Sequence, residues 1–371
     1  MRILFTGGGT GGHVFPLVSV IRETRKLHPQ EDLEFFYIGP KDDDFGSILI
    51  SQETAEIRKI IFGKIRRYFS FQNFIDILFK IPFGFIQTLY YFARIDPNFV
   101  FSKGGSGSLP VVFWARVFKI PFFIHESDAT PGLSNRIASR WAKKIFISFP
   151  KTEYFDLSKA ILVGNPTRRE ILNGSKEIAE GLFELTLEKP AFLILGGSQG
   201  AEFINDFVLN NLNKLLSDYE IIHSCGIDNY HEVLIESQSV IRDDLKIFYH
   251  LYGFLDEEKI KHAYRASDFV ISRAGSGSIF EISAVGIPSI LIPLTKSAGD
   301  HQAKNAYLYA ETGASIVLEE ENMKPDFFFE KIHHIFADPE NLKNMREAAL
   351  RFSKPNAGKE IAINILEYLS L

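Results

Sequence analysis

The chain has 371 residues, 46% of them hydrophobic, which is enough to bury two cores of ordinary domain size. Its 41 Lys plus Arg stand against 46 Asp plus Glu, a formal net charge of −5, so no global basic field points to nucleic acid and any anion site has to be local. Cys225 is the single cysteine, which excludes an intramolecular disulfide and a multi-cysteine metal cluster and agrees with a reducing compartment.

Short apolar runs alternate with amphipathic stretches along the whole chain, the pattern of βαβ units around parallel sheets. In the first half this predicts strands near residues 2–6, 34–38, 98–101, 121–125, 145–148 and 161–163. Met1-Arg2 runs straight into the first of them, leaving no room for a signal peptide, so a cytoplasmic protein is expected. Gly7-Gly8-Gly9-Thr10-Gly11-Gly12 follows that strand and satisfies the dinucleotide fingerprint. The second strand ends in Gly39-Pro40-Lys41 instead of the acid that a nicotinamide ribose requires, which weakens an oxidoreductase reading. His13 falls in the first turn of the expected helix and is suited to take a proton from an attacking hydroxyl; the alternative is a histidine that only caps or packs. Asp42-Asp43-Asp44 holds an Asp-x-Asp, read as a solvated loop in preference to a metal site.

The segment 62–94 sets Lys64, Arg66, Arg67 and Lys80 among aromatic and aliphatic residues. Its longest uncharged run, Ile81 to Ala93, falls short of the roughly 20 residues that span a bilayer. Two readings stay open: a buried helix pair in an aromatic core, or exposed aromatics flanked by cations lying on an anionic membrane. Ser102-Lys103-Gly104-Gly105-Ser106-Gly107-Ser108 then follows the strand NFVF, and His125-Glu126-Ser127-Asp128 ends the next one with polar groups directed to the same cleft. Gly164-Asn165-Pro166 interrupts the pattern and predicts the passage between halves; Arg168 beside it offers a fixed cation for a diphosphate, or is a surface arginine.

The second half predicts strands near 191–195, 220–224, 246–250, 268–272, 289–292 and 314–318, and it repeats the loops of the first. Gly196-Gly197-Ser198-Gln199-Gly200 follows FLIL, and Ser272-Arg273-Ala274-Gly275-Ser276-Gly277-Ser278 follows DFVI. The echo implies two copies of one architecture, each cradling phosphate with main-chain amides at a helix start. Glu281 is placed in the first turn of a helix from Ile279 to Val285, either to accept ribose hydroxyls or for dipole reasons alone. Gln302 and Asn305 offer neutral hydrogen bonds to a sugar.

Taken together, GGGTGGHVFP at 7–16, HESDATPGLSNR at 125–136, GNPTRRE at 164–170, GGSQGA at 196–201, AGSGSIFE at 274–281 and DHQAKNA at 300–306 resemble the MurG family. These are UDP-N-acetylglucosamine:undecaprenyl-pyrophosphoryl-N-acetylmuramyl-pentapeptide N-acetylglucosaminyltransferases. The resemblance implies an α/β chain of GT-B architecture, two Rossmann-like, doubly wound parallel-sheet domains facing a central cleft. The expected domains are 1–164 for acceptor and membrane and 165–354 for the UDP-sugar, with a C-terminal helix, about 355–371, packing back on the first. It implies inverting transfer of N-acetylglucosamine to lipid I, giving lipid II at the cytoplasmic face of the membrane, with no tightly bound metal. Carried over residue by residue, the donor contacts are Thr10, Gly11, Gly12, Asp128, Arg168, Ser198, Leu255, Ser276, Gly277, Ser278, Ile279, Phe280, Glu281 and Gln302. Gly104, Gly105, Ser106 and Gly107 fall to the acceptor diphosphate, and His13 to the general base, tuned by Glu126 or Asp128. Two departures stand out: Asp128 replaces the family's usual Asn, and Gly104-Gly105-Ser106-Gly107-Ser108-Leu109-Pro110 replaces Gly-Gly-Tyr-x-Ser-Gly-Pro. The competing expectations are a transferase for another lipid such as diacylglycerol, a nicotinamide oxidoreductase, and a sugar-nucleotide binder without turnover.

Overall fold

Two parallel sheets carry the chain, and in each the strand order reverses beside the first strand of its own unit. A computed structural model describes all residues except 9–10, 31, 42–43, 54–55, 64–75, 151–153, 198–199 and 296–299, and the side chains of 11, 44, 45 and 77. Two compact units result, one of Met1–Thr167 with Lys354–Leu371, the other of Arg168–Ser353.

In the first unit, seven strands among the described residues run β1 (Arg2–Thr6), β2 (Glu34–Pro40), β3 (Glu56–Ile60), β4 (Phe99–Ser102), β5 (Phe122–Glu126), β6 (Lys144–Ile147) and β7 (Ala160–Leu162). They order as β3-β2-β1-β4-β5-β6-β7. Central strands such as Ile3-Leu4-Phe5 and Phe99-Val100-Phe101 are buried on both faces, as parallel sheets require. Ile3 and Phe5 join a cluster with Val14, Leu17 and Ile21 of helix Gly11–Leu27, whereas Leu4 and Val100 join Phe92, Val111 and Val112 on the opposite side. Helix Ala357–Leu369 completes the first cluster through Ile361 and Ile365. It crosses helix Gly11–Leu27 so closely that a Cβ on Gly358 would stand 2.5 Å from Ser19 Oγ.

The second unit follows the same plan with β8 (Ala191–Leu195), β9 (Glu220–Ser224), β10 (Tyr249–Tyr252), β11 (Phe269–Arg273), β12 (Ser289–Ile292) and β13 (Ser315–Val317), ordered β10-β9-β8-β11-β12-β13.

Two elements differ from the sequence expectation. The strand β3 is unforeseen, because Glu56, Arg58 and Lys59 hide any apolar alternation; it is an edge strand, where charge blunts pairing with other chains. The strand expected at 246–250 begins only at Tyr249, since a 3-10 turn, Asp243–Phe248, buries Leu245 and Phe248 first.

Candidate active site

In each unit the glycine loops leave the two strands at which the order reverses, the place where open α/β sheets bind ligands. In the first unit β1 and β4 pair with Thr6 opposite Ser102, so the loops after them run side by side. The Lys103 amide donates to Thr6 O at 2.8 Å, and a Cβ on Gly105 would lie 2.5 Å from Gly8 O. Gly105 also holds φ at +88°, so this approach is open to glycine alone. Gly107 leads into helix Ser108–Val117, whose Ser108 Oγ–H donates to Gly105 O at 2.8 Å, and Ser106 is partly exposed at the loop tip. His13 is the third residue of helix Gly11–Leu27 and its side chain is partly exposed. Gly11 and Gly12 open the same helix; Thr10 lies outside the described residues.

The end of β5 is built inward. His125 is fully buried, with Nε2–H aimed at Gly164 O at 2.9 Å, which corrects its assignment as a polar group offered to a ligand. Glu126 is buried too and accepts from the Asp128 amide at 3.1 Å, the Gly132 amide at 3.0 Å and Asn135 Nδ2 at 3.0 Å. Burial, and then the charge of Asp128, push its carboxyl up, while Lys103 and these hydrogen bonds hold it down; the net direction is upward. Glu126 thus ties down the turn that carries Asp128, which is itself partly exposed.

In the second unit the counterpart is the start of helix Ser276–Val285. Gly275 precedes it, no side chain caps it, and a Cβ on Gly275 or Gly277 would meet nothing within 4 Å. Unclaimed amides at an open helix N-terminus form an anion seat. Ser276 Oγ is buried there and has no hydrogen-bond partner among the described residues, and Ser278 is partly exposed. Ile279 and Phe280 are buried in the core, Phe280 against Phe352, so only their main chain is available to a ligand.

Glu281 lies in the second turn of this helix, not the first, because the helix starts three residues earlier than its Gly-Ser-Gly-Ser opening suggests. Its Oε1 accepts Arg168 Nε at 3.0 Å and Nη2 at 2.8 Å, and its Oε2 accepts the Tyr264 hydroxyl at 3.2 Å. Arg168 is therefore neither a surface arginine nor a cation standing alone for a diphosphate: it is buried and paired within its own unit. Burial works against its charge, and the Glu281 carboxylate outweighs that effect. Sequence reasoning missed Tyr264; its only signal was a tyrosine on the apolar side of the charged helix Glu257–Ala266, beside Ile260 and Ala263.

Two other expected sugar contacts also hydrogen-bond main chain. Asn305 is fully buried with Nδ2 toward Ala274 O, and Gln302 Oε1 accepts the Leu294 amide at 3.0 Å. Leu255 is buried in the loop after β10. Ser198, and Asp42 with Asp43 of the Asp-x-Asp, lie outside the described residues. Among the described residues no group of three or more His, Cys, Asp or Glu side chains is placed to hold a metal ion.

Residues 3–147 match the glycosyltransferase family 28 N-terminal domain, and residues 191–361 match the C-terminal domain of the same family. A Clostridium tetani protein is 37% identical over 354 residues, covering 94% of each chain, and one from Clostridium kluyveri is 40% identical over 89% of this chain and 90% of its own. Both are named UDP-N-acetylglucosamine–N-acetylmuramyl-(pentapeptide) pyrophosphoryl-undecaprenol N-acetylglucosamine transferase. The chain belongs to the MurG family. The solved Acinetobacter baumannii MurG superimposes with a TM-score of 0.75 at 24% identity over 99% of both chains, and this chain has the same GT-B fold. A Neisseria meningitidis UDP-GlcNAc 2-epimerase bound to UDP-GlcNAc has a TM-score of 0.69 at 15% identity over 99% of this chain and 100% of its own, so the fold extends beyond MurG proteins. As a MurG-family glycosyltransferase the chain is a hexosyltransferase.

Proposed function

We propose that this chain transfers N-acetylglucosamine from UDP-N-acetylglucosamine to the C4 hydroxyl of undecaprenyl-linked lipid I, inverting the anomeric centre and forming lipid II for peptidoglycan synthesis. The observation that carries this reading is the shared name of relatives 37% and 40% identical along nearly the full chain.

The chemistry is a single displacement. The acceptor oxygen bonds to the anomeric carbon, the bond from that carbon to the UDP oxygen breaks, and His13 takes the hydroxyl proton. Main-chain amides at Ser276, Gly277 and Ser278 receive the diphosphate, whose charge grows as it departs, so the leaving group is stabilised by fixed dipoles and not by a resident metal. Glu281, oriented by Arg168 and Tyr264, accepts the ribose hydroxyls. On the first unit, Gly104 to Gly107 meet the acceptor diphosphate and the turn held by Glu126 presents Asp128 to the sugar. The test is a donor and acceptor panel with purified protein. Transfer from UDP-N-acetylglucosamine to a lipid I analogue is expected; transfer only to diacylglycerol, binding of NADH in place of UDP, or UDP-sugar binding without turnover would overturn the reading.

The lipid acceptor requires a membrane surface, and no described helix is long and apolar enough to cross one. Helix Ile81–Ile95 buries Gly84, Thr88, Phe92 and Ile95 but exposes Phe83, Tyr90 and Ile86, the last at 63%. Leu78 and Phe79 before it, and Phe113, Val117 and Phe118 on and beside the adjoining helix Ser108–Val117, extend the apolar surface. Lys80, Arg94, Arg116 and Lys119 are exposed in the same segments. This pattern supports peripheral attachment to the anionic cytoplasmic leaflet through the 62–94 segment, of which residues 64–75 lie outside the described residues. Sedimentation with phosphatidylglycerol vesicles is expected to fall roughly tenfold for Phe83→Ser and again for Ile86→Ser. Unchanged sedimentation would remove this face from the membrane contact.

A further inference from the structure

Lys103 is an anomalous side chain of the first unit. It is 1% exposed and among the described residues its Nζ has no hydrogen-bond partner, although a buried ammonium left unpaired is among the costliest groups a fold can hold. Its place is not accidental. The Lys103 amide is bonded to Thr6 O, and a Cβ on Gly7 would meet the Lys103 Cβ at 3.0 Å, so the backbone at the meeting of the two glycine loops sets where the side chain starts. The adjoining Gly104 abuts Asn135, whose Nδ2 donates to both His125 O and Glu126 Oε2.

Burial pulls the Lys103 ammonium below the usual lysine range, and the charges of Glu126 at the end of β5 and of Asp128 in the turn beyond offset only part of that. His125 is a further titratable neighbour, which burial and Lys103 keep neutral. Asn135, the partner from helix Leu133–Ala138, carries no charge. Glu126 is in turn the fixed point of the loop: its two oxygens gather the amides of Asp128 and Gly132 and the Asn135 side chain, three bonds that are stronger to a carboxylate than to a neutral acid. Asp128 contributes a second negative charge two residues away.

We propose that Lys103 is a positioning residue: its buried ammonium is the counter-charge that keeps the Glu126 carboxylate holding the turn from Ser127 to Asn135, and so keeps Asp128 in place beside the transferred sugar. Removing the cation takes away a positive charge that holds the Glu126 carboxyl down; Glu126 takes up a proton at higher pH, its three bonds weaken and the turn loosens. The lysine is thereby matched to an acid at position 128.

The importance of the turn for catalysis rests on the transferase reading, so the experiment separates the two. The Asp128 and Gly132 amides donate directly to Glu126, and their resonances in a ¹⁵N-labelled, deuterated sample report its titration without any substrate. In Lys103→Met the midpoint of that titration is expected to rise by roughly one pH unit, and in Lys103→Arg, which keeps the charge, to stay near wild type. Asp128→Asn, a change at a partly exposed side chain, is expected to lower the midpoint and serves as the deciding variant should the lysine variants not fold. In parallel, Lys103→Met is expected to lose transfer activity below its raised midpoint and to recover it above. Midpoints that coincide in wild type and Lys103→Met, or an Asp128→Asn midpoint that does not move, would overturn the proposal. Absence of transfer by the wild-type protein at every pH would instead overturn the transferase reading and leave the resonance titration standing.

Discussion

Replacing Glu281 with leucine is expected to lower the stability of the second unit by about 3–5 kcal/mol, because it takes from the buried Arg168 guanidinium the carboxylate that receives its Nε and Nη2. The Tyr264 hydroxyl loses its acceptor in the same step. Both partners are side chains at roughly one-tenth exposure, so water offers little relief. Urea unfolding followed through probes on the second unit measures the loss. Removing Arg168 together with Glu281 is expected to restore most of the stability, since two apolar side chains of similar volume replace an ion pair whose attraction and desolvation nearly cancel. UDP affinity behaves differently: it falls roughly ten- to a hundredfold in the single variant and does not return in the double variant, because hydrogen bonds from ribose to a carboxylate have no substitute. Recovery of UDP binding together with stability would show that Glu281 serves the fold alone.

His13→Ala is expected to reduce kcat for transfer by about 10² to 10⁴-fold, the usual contribution of a positioned general base. The donor KM and the unfolding midpoint should change little, for the side chain is partly exposed at a helix start and carries none of the core described above. Steady-state kinetics at saturating acceptor separates the two parameters. Near-full turnover would remove His13 from proton transfer and return it to a packing role.

How much of this was legible beforehand depended on whether a residue's role was local. Glycine after an apolar strand is a local signal, because a loop crossing another backbone at van der Waals distance leaves no room for a Cβ; Gly105 against Gly8 is such a case, and the two echoed loops located both reversal points. The resemblance built on the same motifs fixed the family. Strand β3 was hidden because its residues answer to an edge position and not to a core. Polar residues at the carboxyl ends of strands were read as ligand contacts, yet His125 and Asn305 face inward and brace main chain, a distinction set by tertiary packing. The Arg168 to Glu281 pair joins residues 113 apart, and Lys103 looks like any loop lysine until the sheet buries it.

The Ser19 and Gly358 contact has a consequence for biosynthesis. The segment that seals the first unit's core is translated only after Arg168–Ser353. The second unit is contiguous and can consolidate on the ribosome, while the earlier-made half keeps Val14, Leu17 and Ile21 without their final cover until Ile361 and Ile365 have been made. Birth order and maturation order are thus reversed in this polypeptide, and the amino-terminal half is the natural client for chaperones during that interval.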